Sequence, residues 1–208
     1  MSGRIAKVIS TELLENKDAE WINLVKITYE DENGVVRPWE GTRRLTRPET
    51  SAVDAVVMVA VREMPTGAEV LLEKQFRPPV GKLVVEFPAG LVDKNETAEE
   101  AALRELREET GYVGEIVDEK SGQRPVFHSA PASSNGTIYM IQIKVDAEKE
   151  ENKNPKPALE DGEFIECFWV PFKDLYQECR RLKTQGFAVD GKLGNFAEGL
   201  EAAKIWKI

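Results

Sequence analysis

Residues 90–112 read Gly90-Leu91-Val92-Asp93-Lys94-Asn95-Glu96-Thr97-Ala98-Glu99-Glu100-Ala101-Ala102-Leu103-Arg104-Glu105-Leu106-Arg107-Glu108-Glu109-Thr110-Gly111-Tyr112. The stretch from about 97 to 110 carries good helix formers without Pro or Gly, and Gly111 is placed to stop it in a left-handed conformation. At 100° per residue, Glu105, Glu108 and Glu109 fall within about a 100° arc, on the side also occupied by Ala98, Ala101 and Ala102. Leu103, Leu106 and Thr110 form a separate stripe expected to dock on a sheet. In water, Glu105 and Glu109 at i and i+4 repel by roughly 0.2–0.5 kcal/mol, and by more if another segment covers them. A divalent cation turns that repulsion into attraction. The competing reading is a solvated helix laced by Glu100–Arg104 and Arg104–Glu108 pairs.

Spacing separates the two readings. The run satisfies GX5EX7REUXEEXGU, with U a bulky apolar residue, at every specified position, and a chance match in the chain is on the order of one in a million. In this the chain resembles the Nudix hydrolases. The resemblance implies an α/β/α sandwich with a mixed sheet, Mg2+ (with Mn2+ as a substitute) on the helix glutamates, and hydrolysis of a nucleoside diphosphate linked to another moiety. The residue chemistry agrees, because oxygen ligands without His or Cys suit Mg2+ or Mn2+. Matched position by position, Glu105, Glu108 and Glu109 become metal ligands, Arg104 orients them by ion pairing, and Gly90 and Gly111 serve shape. Glu96 is either an auxiliary ligand or a favourable charge at the positive end of the helix dipole.

The resemblance covers roughly residues 20 to 170 and points to the ADP-ribose and ADP-sugar pyrophosphatases. Gln75-Phe76-Arg77-Pro78-Pro79 followed by Glu86-Phe87-Pro88-Ala89-Gly90 resembles that subgroup's pattern before the box. It implies that Ala89 gives its carbonyl to a metal and Arg77 contacts the diphosphate. Arg44 is a second phosphate candidate, unless Arg43-Arg44 is a solvated pair. Trp21 and Trp39 look like the two tryptophans that clamp adenine across the interface of a homodimer, with Glu40 or backbone selecting the base. The alternative, two core tryptophans, requires burying both within about fifty residues. Glu163 matches the glutamate of a mobile loop that closes over substrate and activates water, and Glu160 is its rival. One departure stands out. The subgroup carries a Ser-Pro-Gly-like turn after the box, whereas this chain has Ala130-Pro131-Ala132-Ser133-Ser134-Asn135, displaced by a small insertion near Ser121-Gly122 and lacking the glycine.

The rest of the sequence sets bounds. A chain of 208 residues with 41% hydrophobic and 31% charged residues has a globular composition and is long enough for a sizeable core. A net charge of −9 argues against nucleic-acid partners. The longest apolar run, 55–61, has strand length, so a membrane span is not expected. The first residues lack the apolar stretch of an export signal. Two cysteines, Cys167 and Cys179, suit a reducing compartment, so a cytoplasmic protein is expected, with the nucleus left open. One histidine, His128, forbids a multi-His zinc site. It also argues against an isopentenyl diphosphate isomerase-like enzyme, whereas a nucleotide sensor on this fold is expected to lose box carboxylates. We expect a small β-rich unit over 1–50 and a Nudix domain over 51–208. Strands are predicted over 20–29 and 35–39 about Asn33-Gly34, then over 51–62, 68–76, 83–87, 137–145 and 164–170. Helices are predicted over 171–183, with Pro171 in the first turn, and 195–204, with Asn195 as cap. Residues 146–161 read as an exposed, mobile loop.

Overall fold

The computed structural model describes residues 6–117 and 124–208, so the insertion expected near Ser121-Gly122 lies outside the described residues. Strands β1 (Ile22–Glu30) and β2 (Val36–Arg44) form an antiparallel two-stranded sheet of their own. Their turn is built by Asp31, whose carboxylate accepts the N–H groups of Asn33 and Val35, while Gly34 takes φ 74°. β2 runs past Trp39 to Arg44 because the register with β1 continues to Ile22↔Arg44.

The remaining strands, β3 (Ala55–Met64), β4 (Gly67–Arg77), β5 (Lys82–Glu86), β6 (Ala89–Leu91), β7 (Glu115–Ile116), β8 (Phe127–His128), β9 (Thr137–Lys144), β10 (Ile165–Pro171) and β11 (Ala188–Val189), join one mixed sheet. The apolar run of β3 is buried on both faces, as a central strand requires. It pairs in parallel with β9 and antiparallel with β4 and β6. The stretch after the strand predicted over 83–87 thus holds a further short strand, Ala89–Leu91. One sheet face packs Val57, Val70, Leu72 and Val85 against Leu175, Leu182 and Leu193, and the other packs Val56, Met58, Leu71 and Ile141 against Ala101, Ala102 and Leu106. Helices therefore cover both faces, giving the expected α/β/α sandwich.

Helix α1 (Ala98–Thr110) starts with a capping box, in which Thr97 Oγ1 accepts the Glu100 N–H and the Glu100 carboxylate accepts the Thr97 N–H. Such a cap contributes about 1 kcal/mol. Gly111 ends it at φ 75°. Leu106 and Thr110 of the expected docking stripe are buried, whereas Leu103 is exposed; Ala101, Ala102 and Glu109 on the alanine side share the burial. Small side chains let α1 lie close to the sheet, and this draws the carboxylates in with it. A short helix α2 (Glu150–Lys153) occupies the segment expected to be a mobile loop. Asn152 is buried, bonding both N–H and carbonyl of Val113, and Ala158 N–H donates to Glu108 O. Pro171 closes β10 instead of opening a helix, and α3 (Leu175–Thr184) begins after a 3-10 turn. Helix α4 (Gly191–Trp206) is capped by Asp190, which accepts the Lys192 and Leu193 N–H groups, so Asn195 lies inside the helix. Gly191 and Gly194 hide that first turn from a propensity reading.

Candidate active site

Arg104 is the hub of the box. Its guanidinium forms two hydrogen bonds to Glu96, at 2.7 and 3.1 Å, and donates to Leu91 O at 3.1 Å. It also pairs with Glu105 at 2.9 Å and with Glu108 at 3.1 Å. Glu96 further accepts the Asp93 N–H at 2.6 Å, and the Arg104 hydrogen bonds hold its carboxyl below the usual range. Its observed engagement is thus to anchor Arg104 and the loop before α1. Gly90, on β6, lies directly against the Glu105 carboxylate.

Glu109 is only 6% exposed and accepts the Ala89 N–H, yet its Oε2 has no hydrogen-bond partner. Burial, then the charges of Glu73, Glu105 and Glu163, push its carboxyl well above the ordinary range. Glu105 is raised for related reasons, burial first and then Glu108 and Glu163, against the opposing pull of Arg104. The Glu163 side chain, just before β10, thereby feels the same cluster, and its Oε2 accepts the Glu160 N–H at 3.0 Å.

Two buried carboxylates escaped the sequence reading. Glu73 on β4 is fully buried, and Glu86 on β5 stands opposite it in register. Glu86 is engaged by Arg77, whose Nε donates at 2.8 Å. A lone glutamate in a strand looks solvent-facing; the available signal was that Glu73 shares the period-two face of buried Leu71. Cys167, on β10, completes the row beside Glu73. Burial, then Glu73 and Glu109, push its thiol up to about 12.

Trp21 and Trp39 are 53% and 51% exposed, which disfavours the core-residue alternative. The Trp39 indole N–H donates to Ala132 O at 2.8 Å, and Thr42 N–H donates to Ser133 O at 2.7 Å. The displaced turn 130–135 therefore braces the hairpin. Glu40 is exposed on β2, and Arg44, partly buried, has its N–H bonded to Asn135 Oδ1. A cleft of about 440 Å3 lies between Trp39, Gly41, Arg43 and this turn. A cavity of about 1010 Å3 lies instead between α3 and α4 and includes no box residue; the carboxylate chemistry, not volume, identifies the site.

The donor set suits a hard dication. Among the described residues no three His, Cys, Asp or Glu side chains are already drawn up in a ligating arrangement. Glu105 and Glu108 are turned to Arg104, while one oxygen of Glu109 and both oxygens of Glu73 are buried without a hydrogen bond. A buried carboxylate costs several kcal/mol unless a cation or a proton meets it.

A fold with helices on both sheet faces and a complete REUXEEXGU helix defines a class, and the family model of the NUDIX domain matches residues 50–189. The chain belongs to the Nudix family and is a Nudix hydrolase. It is 39% identical over 206 residues to an ADP-ribose pyrophosphatase of Saccharomyces cerevisiae, covering 98% of this chain and 87% of that one. An ADP-sugar pyrophosphatase of Mus musculus is 39% identical, with 93% and 85% covered. An uncharacterized Nudix hydrolase of Schizosaccharomyces pombe is 45% identical, with 94% and 93% covered.

Proposed function

We propose that this chain hydrolyses the pyrophosphate bond of ADP-ribose to AMP and ribose 5-phosphate, and that of related ADP-sugars to AMP and the corresponding sugar phosphate. The observation that carries the reading is the likeness to an ADP-ribose pyrophosphatase over 98% of the chain, hairpin included. Glu105, Glu108, Glu109 and the Ala89 carbonyl hold Mg2+, or Mn2+ in its place. Bound there, the cation would neutralise the diphosphate and supply Lewis acidity for attack on phosphorus. Arg77 and Arg44 contact the diphosphate oxygens, Arg104 keeps the box glutamates in position, and Glu163 takes the proton from water as its oxygen attacks phosphorus and the P–O–P bridge breaks.

Trp21 and Trp39 hold the adenine in a homodimer, with Glu40 at its edge. Two features support the dimer. Trp39 lies opposite Ile27, so the tryptophans are about six residues, or roughly 20 Å, apart along one hairpin and cannot close on one base within a chain. Ile22, Leu24 and Val36 are exposed on the two-stranded sheet, an apolar surface that a second copy would cover. The protein acts in the cytoplasm.

A panel of nucleoside diphosphate derivatives with Mg2+, its products separated by chromatography, tests the reading. AMP and ribose 5-phosphate from ADP-ribose, lost on chelation, are expected. Cleavage of another derivative with ADP-ribose untouched would move the substrate, and no cleavage of any would favour a nucleotide sensor.

A further inference from the structure

Glu73 lies outside the box, on a strand, and nothing in the proposed reaction uses it. Leu71, two residues earlier, packs among Ala101, Ala102 and Leu106, so the alternation of β4 turns Glu73 to the face covered by α1. There it stands between Glu86 and Cys167 in register, and its charge acts on Glu109 across the helix–sheet boundary. Its side chain has no solvent exposure, and neither carboxylate oxygen has a hydrogen-bond partner. Glu86, the other buried strand carboxylate, is satisfied by Arg77. Arg77 acts on Glu73 only through its charge and gives it no hydrogen bond. An apolar side chain would fill this position among Leu71 and Cys167 without the cost of desolvating a carboxylate, so the charge needs a ligand to account for it.

We infer that Glu73 supplies a strand carboxylate to the cation cluster of Glu105 and Glu109, so that the divalent site joins α1 to the sheet and is not confined to the box helix. The inference rests on the proposed metal-dependent reading. When the cation binds, the buried Glu73 and Glu109 oxygens gain the partner they lack, and helix and strand become linked through it. Without it, the two carboxylates repel across the boundary or share a proton.

Mn2+ titration by calorimetry, with thermal unfolding in chelator and in Mn2+, tests this on the wild type, Glu73→Gln and Glu73→Leu. Expected for both variants are a melting temperature in chelator at or above the wild type, Mn2+ affinity lower by roughly ten- to a hundredfold, and a smaller Mn2+-induced rise in melting temperature. Affinity within about twofold of the wild type in either variant, with an unchanged Mn2+-induced rise, overturns the inference and leaves the metal-dependent reading standing. Failure of both variants to fold also overturns it, because Glu73 would then be a structural carboxylate. A wild type that binds no Mn2+ removes the inference and the metal reading together.

Discussion

Gly90 and Glu105 occupy the same space divided between them: a Cβ at position 90 would overlap Cγ, Cδ and Oε1 of Glu105. The glycine is therefore what lets that carboxylate lie down against β6. Because the clashing atoms are the far end of a flexible side chain, Gly90→Ala should cost little stability, within about 1 kcal/mol. It should lower divalent-cation affinity at least about tenfold. Gly111→Ala should do the opposite, losing more than about 1 kcal/mol, since φ is 75° and its Cβ would strike the backbone of Pro155 and Lys156. Denaturant melts beside metal titrations check the pair; equal stability loss in both would refute this division.

Removing charge from Glu109 should separate stability from turnover. Glu109→Gln keeps a polar head for the Ala89 N–H while deleting a buried negative charge, so the metal-free protein should melt no lower than the wild type. kcat should fall by several orders of magnitude. Near-normal Mg2+-dependent turnover in this variant would remove the carboxylate helix from the chemistry.

The half-exposed tryptophans should act on binding. Trp21→Ala and Trp39→Ala should each raise KM for ADP-ribose roughly five- to 150-fold, as the loss of base stacking of about 1–3 kcal/mol implies, with kcat nearly unchanged. Steady-state kinetics decides, and an unchanged KM in folded variants would place the base elsewhere.

For the proton acceptor, Glu163→Gln should cut kcat at least about a hundredfold with KM and Mn2+ affinity nearly unchanged. Glu160→Gln should do little, because only Glu163 bears on the charges of Glu105 and Glu109. The reverse ranking in kcat against pH would hand the role to Glu160.

Metal-free stability should depend on pH in a direction fixed by Glu73 and Glu109. Both folded values are raised by burial first, then by neighbouring carboxylates, above an ordinary value of 4.5. Below that value the unfolded chain is protonated too and the stability is whole. As pH rises through the raised values, the folded state must surrender protons into a buried site. Stability in chelator should therefore decline from pH 6 to 8, by up to about 1.4 kcal/mol per unit per group. Mg2+ should reverse the trend. Asp54 acts at the other end: burial raises its carboxyl, but Arg47 and Thr137 outweigh this and lower it, so its contribution is lost below about pH 3.8. A chelated protein as stable at pH 8 as at pH 6 would contradict this.

The box was legible because Arg104, Glu105, Glu108 and Glu109 sit on one helix, where fixed spacing makes local sequence and spatial arrangement the same information. The β1–β2 hairpin was legible for a similar reason, through Asn33-Gly34. Glu73 and Glu86 were not, since their burial is decided by a helix and strands distant in sequence, and a glutamate in a strand looks the same on either face. Leu103 was misplaced because the alanines, small enough for close approach, turned the acidic side inward. The start of α4 was hidden because Asp190 caps a turn containing two glycines.

The turn 130–135 carries a consequence for what the molecule can measure. Through Ala132, Ser133 and Asn135 it grips β2, and Arg47 bonds both Asn135 O and the Asp54 carboxylate, which in turn holds Thr137 at the root of β9. Asp54 O also accepts the Val92 N–H, next to the glycine loop of the box. Hairpin and carboxylate cluster are thus two jaws of one rigid caliper. On the proposed reading, its gauge runs through the Arg47–Asp54 pair: ligands are sorted by the span from base to diphosphate, a dimension fixed outside the groups that touch the ligand.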